Sequence, residues 1–307
     1  MNTTLSKAAE IVSHSSQGNW DCTTKASHLE FPDFNHLRMR DSGAEYKMLP
    51  SAKRLISHRL RLPAEYLERC PRNLQAQNLN YWLERLGDSP LFCRFNDQGV
   101  RAFFTTRYKP INNNEILARV LEAFPESTPV EFRLSNDIMV LNIPDHKQRF
   151  DVNGDAMVPG SHFANSEVGL VAYCCSVFYQ RLVCTNGLIT ADSMIVKTRH
   201  VKMHALDGFA HAMAEVRRLS LYQSDNMRLS IESQVDDPGA SIATFGKRYG
   251  LAKDEIEVVQ NSWDQDAGFT LWSVIQAFTY AANDKSLPPE TAYKLQRIGG
   301  QILALVK

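Results

Sequence analysis

The first 37 residues carry Ser, Thr, His and Asn with no clear hydrophobic period and read as a flexible or extended arm. A helical period begins after Tyr46. Residues 48–62 place Leu55, Ile56 and Leu60 inward, with Pro50 and Ser51 at the entry and Arg54, His58 and Arg61 on another face; Pro63 ends the run. A short helical turn over 64–69 follows. Residues 74–86 then predict an amphipathic helix with Leu79, Trp82, Leu83 and Leu86 as its buried stripe.

The period then changes to two. Residues 91–95 and 100–108 flank Asn96-Asp97-Gln98-Gly99 and predict a hairpin with Gly99 at a positive-φ position. Its alternation puts Arg101, Phe103, Thr105 and Arg107 on one face, which is basic and aromatic together. A helix over 114–124 and a second hairpin, 130–134 with 138–143, come next. Residues 163–190 are apolar and rich in β-branched and aromatic types, as expected of a central sheet, with Asn186-Gly187 suited to a tight turn. From Ala205 the pattern is helical: Leu206, Phe209, Met213, Val216 and Leu219 form one stripe, and helices are expected near 241–249, 254–261, 270–283 and 290–306. The fold class predicted is α+β, with a mixed α/β N-terminal part containing antiparallel hairpins and a central sheet, and an all-helical C-terminal part. The organisation expected is an arm over 1–37, an α+β core over 38–203 and a helical region over 204–307 packed on it.

At 307 residues, 44% hydrophobic and 22% charged, the chain is long enough to bury a core without staples. No apolar run reaches membrane-spanning length and the N-terminus lacks a signal pattern, so the expectation is a cytoplasmic protein with no membrane contact. The six cysteines contain no CxxC pair and read as reduced, mostly buried thiols. Cys174, Cys175, Cys184 and His162 have the chemistry of metal ligands, but the reading as ordinary, partly buried strand residues is preferred. Net charge is zero but unevenly spread: residues 38–109 carry 14 Lys and Arg against 7 Asp and Glu, and residues 181–228 carry 7 against 4.

Several stretches resemble a known family. Leu49-Pro50-Ser51-Ala52, Leu62 to Leu67, Val100 to Phe103 and Arg107 to Asn113 are similar to the N-terminal half of the phage/plasmid-like family numbered domain of unknown function 932. Asn165-Ser166-Glu167-Val168-Gly169 and Arg181 to Gly187 resemble its central signature, and Leu271 to Thr279 its C-terminal helix. The resemblance implies a phage, prophage or large-plasmid setting and supplies no catalytic residues. Such a setting favours handling nucleic acid, or interfering with host defence, over metabolism.

Single strands are held by cations that track phosphates and by aromatic faces that stack on bases. Arg54, Arg59, Arg61, Arg101, Arg107 and Lys109, with Phe103 and Tyr108, contain both types; Lys197, Arg199 and Lys202 form a second basic run. The bland reading makes the aromatics core and the cations a solvated face. Convergence of the two runs would strengthen binding. The expected function is therefore single-stranded DNA binding, with or without annealing, in the replication, recombination or repair of a mobile element, by a monomer or a homo-oligomer. The alternative is a non-enzymatic protein that binds a host or plasmid protein. Glu167 among apolar strands would need a partner, and a structural pairing with an arginine, with Asn165 and Ser166 bonding backbone, is preferred to catalysis. A helix-turn-helix over 243–261 would carry Asp254, Glu255 and Glu257 on its reading helix, which phosphates repel. A P-loop, GxGxxG, HExxH and GxSxG are absent, so neither a cofactor nor an enzymatic activity is expected.

Overall fold

Residues 2–152, 154–182, 186–201, 206–220 and 224–306 are described by a computed structural model. Strand β1 (Asn2–Thr4) leads directly into α1 (Leu5–Ser15), which Thr4 caps by accepting a hydrogen bond from the Lys7 amide. Leu5, Ala8 and Val12 recur at helical spacing and are fully buried. The expected arm is thus part of the fold. What no local pattern reveals is the partner of β1, which pairs antiparallel with a strand more than a hundred residues later.

A smaller lobe follows: β2 (Trp20–Lys25), β3 (Leu29–Asp33), β4 (His36–Met39), β5 (Glu45–Lys47), α2 (Pro50–Leu60), α3 (Ala64–Arg69), α4 (Arg72–Glu84), β6 (Pro90–Asn96) and β7 (Gly99–Phe104). Among the described residues its strands form two three-stranded sheets, β2-β6-β7 and β3-β4-β5. Its core is built on Leu29, Phe31, Phe34, Ile56, Leu79, Leu91, Phe95 and Phe103. Pro50 starts α2, and Arg61 at φ 56 ends it in the left-handed region ahead of Pro63. Gly99 sits at φ +136, where a Cβ would lie 2.1 Å from the Lys47 carbonyl oxygen. That approach lets β5 lie against β7.

The chain then enters the larger body through α5 (Asn113–Ala123), β8 (Pro129–Leu134), β9 (Met139–Pro144), β10 (Phe150–Val152), β11 (Asp155–Asn165), β12 (Tyr173–Arg181) and β13 (Asn186–Thr198). These strands and β1 form a seven-stranded sheet in the order β1-β8-β9-β11-β12-β13, with β10 pairing on β11, and every pairing is antiparallel. Alternate residues serve different cores: Phe163, Cys175, Val177 and Tyr179 join the main one, while Ala164, Cys174, Phe178 and Ile189 form a second. A polar row crosses the sheet. Glu131, Asn142, His162 and Ser176 lie opposite one another in register, Asn142 Nδ2 donating to Glu131 at 3.2 Å and His162 Nδ1 meeting Asn142 Oδ1 at 2.7 Å.

Asn186 and Gly187 do not form the expected turn. They are already in the ladder, opposite Arg181 and Gln180. A Cβ on Gly187 would meet the Phe178 ring at 2.7 Å, so this glycine serves a close approach rather than a positive φ.

The C-terminal part is helical: α6 (Phe209–Leu219), α7 (Ser224–Glu232), α8 (Pro238–Arg248), α9 (Lys253–Trp263), α10 (Leu271–Ala281) and α11 (Pro289–Leu303). In α10, Trp272, Val274, Ile275, Ala277, Phe278 and Ala281 are buried around its whole circumference, which makes it the central helix. Tyr293 of α11 stacks on His162 and closes the second core. The α+β class is borne out, with the helices packed onto the sheet.

Candidate functional site

The two parts meet at a buried polar junction centred on Glu167. Arg94 lies on β6, Arg101 on β7 and Tyr108 in the turn after it; Asn112 and Asn113 begin α5, and Asn165 ends β11, with Ser166 to Val168 following it. Arg101 Nη2 donates to Glu167 Oε2 at 2.8 Å, and the Asn113 amide donates to Oε1 at 2.8 Å. The Glu167 carbonyl accepts from the Tyr108 hydroxyl at 2.9 Å and from Arg94 Nη1 at 3.1 Å. Arg94 also donates to Asp21 at 2.9 Å and to Asn112 Oδ1 at 2.7 Å, so it ties β2, β6, α5 and the Glu167 turn together. Asn165 Nδ2 bonds the Ile111 carbonyl, and Ser166 Oγ accepts from the Leu170 amide. The pairing expected for Glu167 and the backbone roles expected for Asn165 and Ser166 are those found.

Burial alone would push the Glu167 carboxyl up, but Arg101, the Asn113 amide and Arg94 hold it below the usual carboxylate range. Burial pushes the Tyr108 hydroxyl up to about 12 and, with help from Arg94, pushes His200 down to about 4. The junction is therefore a fixed Arg101–Glu167 ion pair bordered by a second pair, Arg94 with Asp21, and by neutral donors. A reacting acid and base facing an open cleft is a different arrangement, and this site does not have it.

The expected open, basic and aromatic face on 100–108 is not formed. Gly99 to Phe103 are all buried, because β7 lies between the lobe core and the junction. Phe103 packs edge to face on Phe31, Arg101 is spent on Glu167, and Tyr108 is buried between Phe104 at 3.8 Å and His200 at 5.2 Å. None of the three can meet a nucleotide in this conformation.

The cations beside them do reach solvent. Arg107 and Lys109 flank buried Tyr108 and are exposed, as are Lys197 and Arg199 beside buried His200. The Lys109 amide donates to the His200 carbonyl at 2.6 Å, and the Tyr108 and His200 rings stack. The two basic runs, 88 positions apart at Lys109 and Lys197, thus meet where Lys109 bonds His200. Arg54 and Arg61 are exposed on and at the end of α2, and Arg59 is half-buried. Lys202 and Cys184 lie outside the described residues. Among those described, no group of three or more His, Cys, Asp or Glu has metal-binding geometry, and Cys174 and Cys175 face different cores.

Sequence reasoning missed Arg94, although a cation between Cys93 and Phe95 in an apolar strand requires a partner for the same reason as Glu167. It also misplaced Trp82. Only Gln75, Leu79 and Leu83 of α4 are buried, while Tyr81 and Trp82 are 51% and 40% exposed, with the Arg85 guanidinium over both rings at 4.6 and 5.2 Å. Trp82 is next to Leu83, about 100° round the helix, and falls off the stripe. The drawn helix-turn-helix exists in outline as α8 and α9 with Gly250 at φ +70, but its second helix begins with Asp254 and Glu255. No helix among the described residues is long and apolar enough to cross a membrane. Comparison of the chain with known protein families, with curated proteins and with solved structures finds no match.

Proposed function

We propose that the chain binds single-stranded nucleic acid through the rim formed by Arg107, Lys109, Lys197 and Arg199. The observation that supports this reading is the convergence itself: the 2.6 Å hydrogen bond from Lys109 to His200 and the Tyr108 stack bring two separated basic runs side by side. Four exposed cations on two runs that meet, with no acidic residue between 105 and 109 or between 196 and 201, suit the tracking of a phosphate backbone. Binding of this kind reads no sequence, since its cations contact phosphates and not base edges. The resemblance to the phage/plasmid-like family fits a role in the replication, recombination or repair of a mobile element.

The test is fluorescence anisotropy with a labelled single-stranded oligonucleotide, beside duplex, over a salt series. Micromolar or tighter binding to the single strand is expected, weakening with salt. Replacing all four rim cations by alanine should lower the slope of log affinity on log salt by roughly 3, at about 0.7 per phosphate contact. No binding at low salt, or an unchanged slope in the variant, would sink the reading.

A second reading rests on the α4 ridge. Exposed Tyr81 and Trp82 under Arg85 are the residue types that anchor protein interfaces, which favours a host or plasmid protein as partner. A pull-down that loses its partner on Trp82→Ala but keeps it in the rim variant would select this reading.

A further inference from the structure

Cys22 on β2 and Cys93 on β6 lie directly opposite each other in the antiparallel ladder. Opposed positions place Cα atoms about 4.5 or 5.5 Å apart, and both spacings fall in the range a disulfide spans. Their side chains share one face of the ladder. Two residues along on that face, Trp20 stacks flat on Phe95 at 3.9 Å, so the register that aligns the thiols is clamped.

The two sulfurs are not equivalent. Cys22 is half-buried and can be approached from solvent, whereas Cys93 is fully buried in the lobe core. Interaction with Cys93 holds the Cys22 thiol below the usual range; that same interaction, together with burial, pushes the Cys93 thiol well up. Cys22 therefore ionises first. Arg59 of α2 is close enough to favour a Cys93 thiolate, and its buried Nε has no partner. Asp21, beside Cys22, opposes ionisation of both.

We infer that Cys22 and Cys93 form a reversible dithiol/disulfide switch that exchanges with low-molecular-weight disulfides. In the first step the Cys22 thiolate attacks one sulfur of the small disulfide, forming a mixed disulfide and expelling a thiolate. In the second, Cys93 sulfur attacks Cys22 Sγ, the protein disulfide forms, and the second small thiol leaves with the Cys93 proton. Two protein thiols are oxidised and one small disulfide is reduced to two thiols. The bond would staple β2 to β6 at the residues next to Asp21 and Arg94, and so fix the end of the arginine bridge that reaches Glu167.

The test is equilibration of the native protein in buffers of graded oxidised to reduced glutathione ratio, followed by acid quench, alkylation and peptide mapping without reduction. A peptide joining Cys22 to Cys93 should accumulate, the thiol count in denaturant should fall from six to four, and reduced glutathione should reverse both. Cys93→Ser should trap glutathione on Cys22, Cys22→Ser should leave Cys93 unmodified, and Cys70→Ser should change nothing. Should Cys93→Ser fold poorly, Cys93→Ala gives the same trapped adduct. Retention of six thiols at oxidising ratios, a linked peptide through any other cysteine, or a glutathione adduct on Cys22 that persists in the unaltered protein would overturn the inference.

Discussion

Glu167 and Arg101 are buried together, so neither charge can be removed without stranding the other. Glu167→Gln is expected to lower unfolding free energy by about 3–5 kcal/mol, the usual cost of breaking a buried pair, as read by urea denaturation. A loss under about 1 kcal/mol, the range of exposed pairs, would show that water screens the pair. The acid limb of stability should be governed by histidines. Burial holds His162 down to about 3 and His200 to about 4, below the ordinary value near 6.5. Both stay neutral in the folded protein while the unfolded chain takes up protons, so stability present above about pH 6.5 is lost as pH falls toward 4, by at most about 1.4 kcal/mol per pH unit for each. Glu167, also depressed, adds its loss only below the ordinary carboxylate range. Urea midpoints from pH 7 to 4.5 should fall, and His200→Asn should flatten the fall; an unchanged slope in that variant would refute the assignment. Asn165-Ser166-Glu167 already announced in sequence that a carboxylate needed a cation. Which arginine supplies it was hidden, because Arg101 reaches Glu167 across 66 positions and looked from its own strand like an exposed residue.

Elements were easiest to read where a residue punctuates them. Pro50, Pro63, Gly99 and Pro289 mark the start of α2, the gap before α3, the β6 to β7 turn and the start of α11, and each boundary lies within two residues of its expected place. Some elements without such marks were missed: α1 has Ser and His between its apolar positions, and α7 follows the α6 stripe without a distinct period. Amphipathic helices carry a further ambiguity, since a stripe one residue too wide converts an exposed aromatic into an imagined core residue. On α4 the two readings separate cleanly. Trp82→Ala should leave the unfolding midpoint almost unchanged, whereas Leu79→Ala, which empties a fully buried position, should cost about 2–5 kcal/mol. Comparable losses at both positions in chemical denaturation would return Trp82 to the core.

At the scale of the whole molecule, the division expected at residue 38 does not describe how the cores are shared. Leu5, Ala8 and Val12 belong to the same core as Ile116, Phe163 and Trp272, and the core of the smaller lobe lies wholly between Ala26 and Phe103. Removal of residues 2–15 should therefore strip an edge strand and a buried helix face from the large sheet, lowering the melting temperature by many degrees or making the protein insoluble. A truncated protein with an unshifted melting transition would restore the view of this segment as an arm. Local periodicity could not disclose the sharing, because β1 meets β8 only after the entire lobe has been traversed.

That traversal has a consequence for the order of events during synthesis. As the chain emerges from the ribosome, the lobe between Trp20 and Phe104 can complete its two small sheets and its core while the large sheet is still unmade. The segment that precedes the lobe must wait. An unpaired strand and an unburied Leu5-Ala8-Val12 face trail from a finished lobe until Pro129–Leu134 appears, which makes residues 2–15 among the last to settle and exposes them to capture by a chaperone meanwhile.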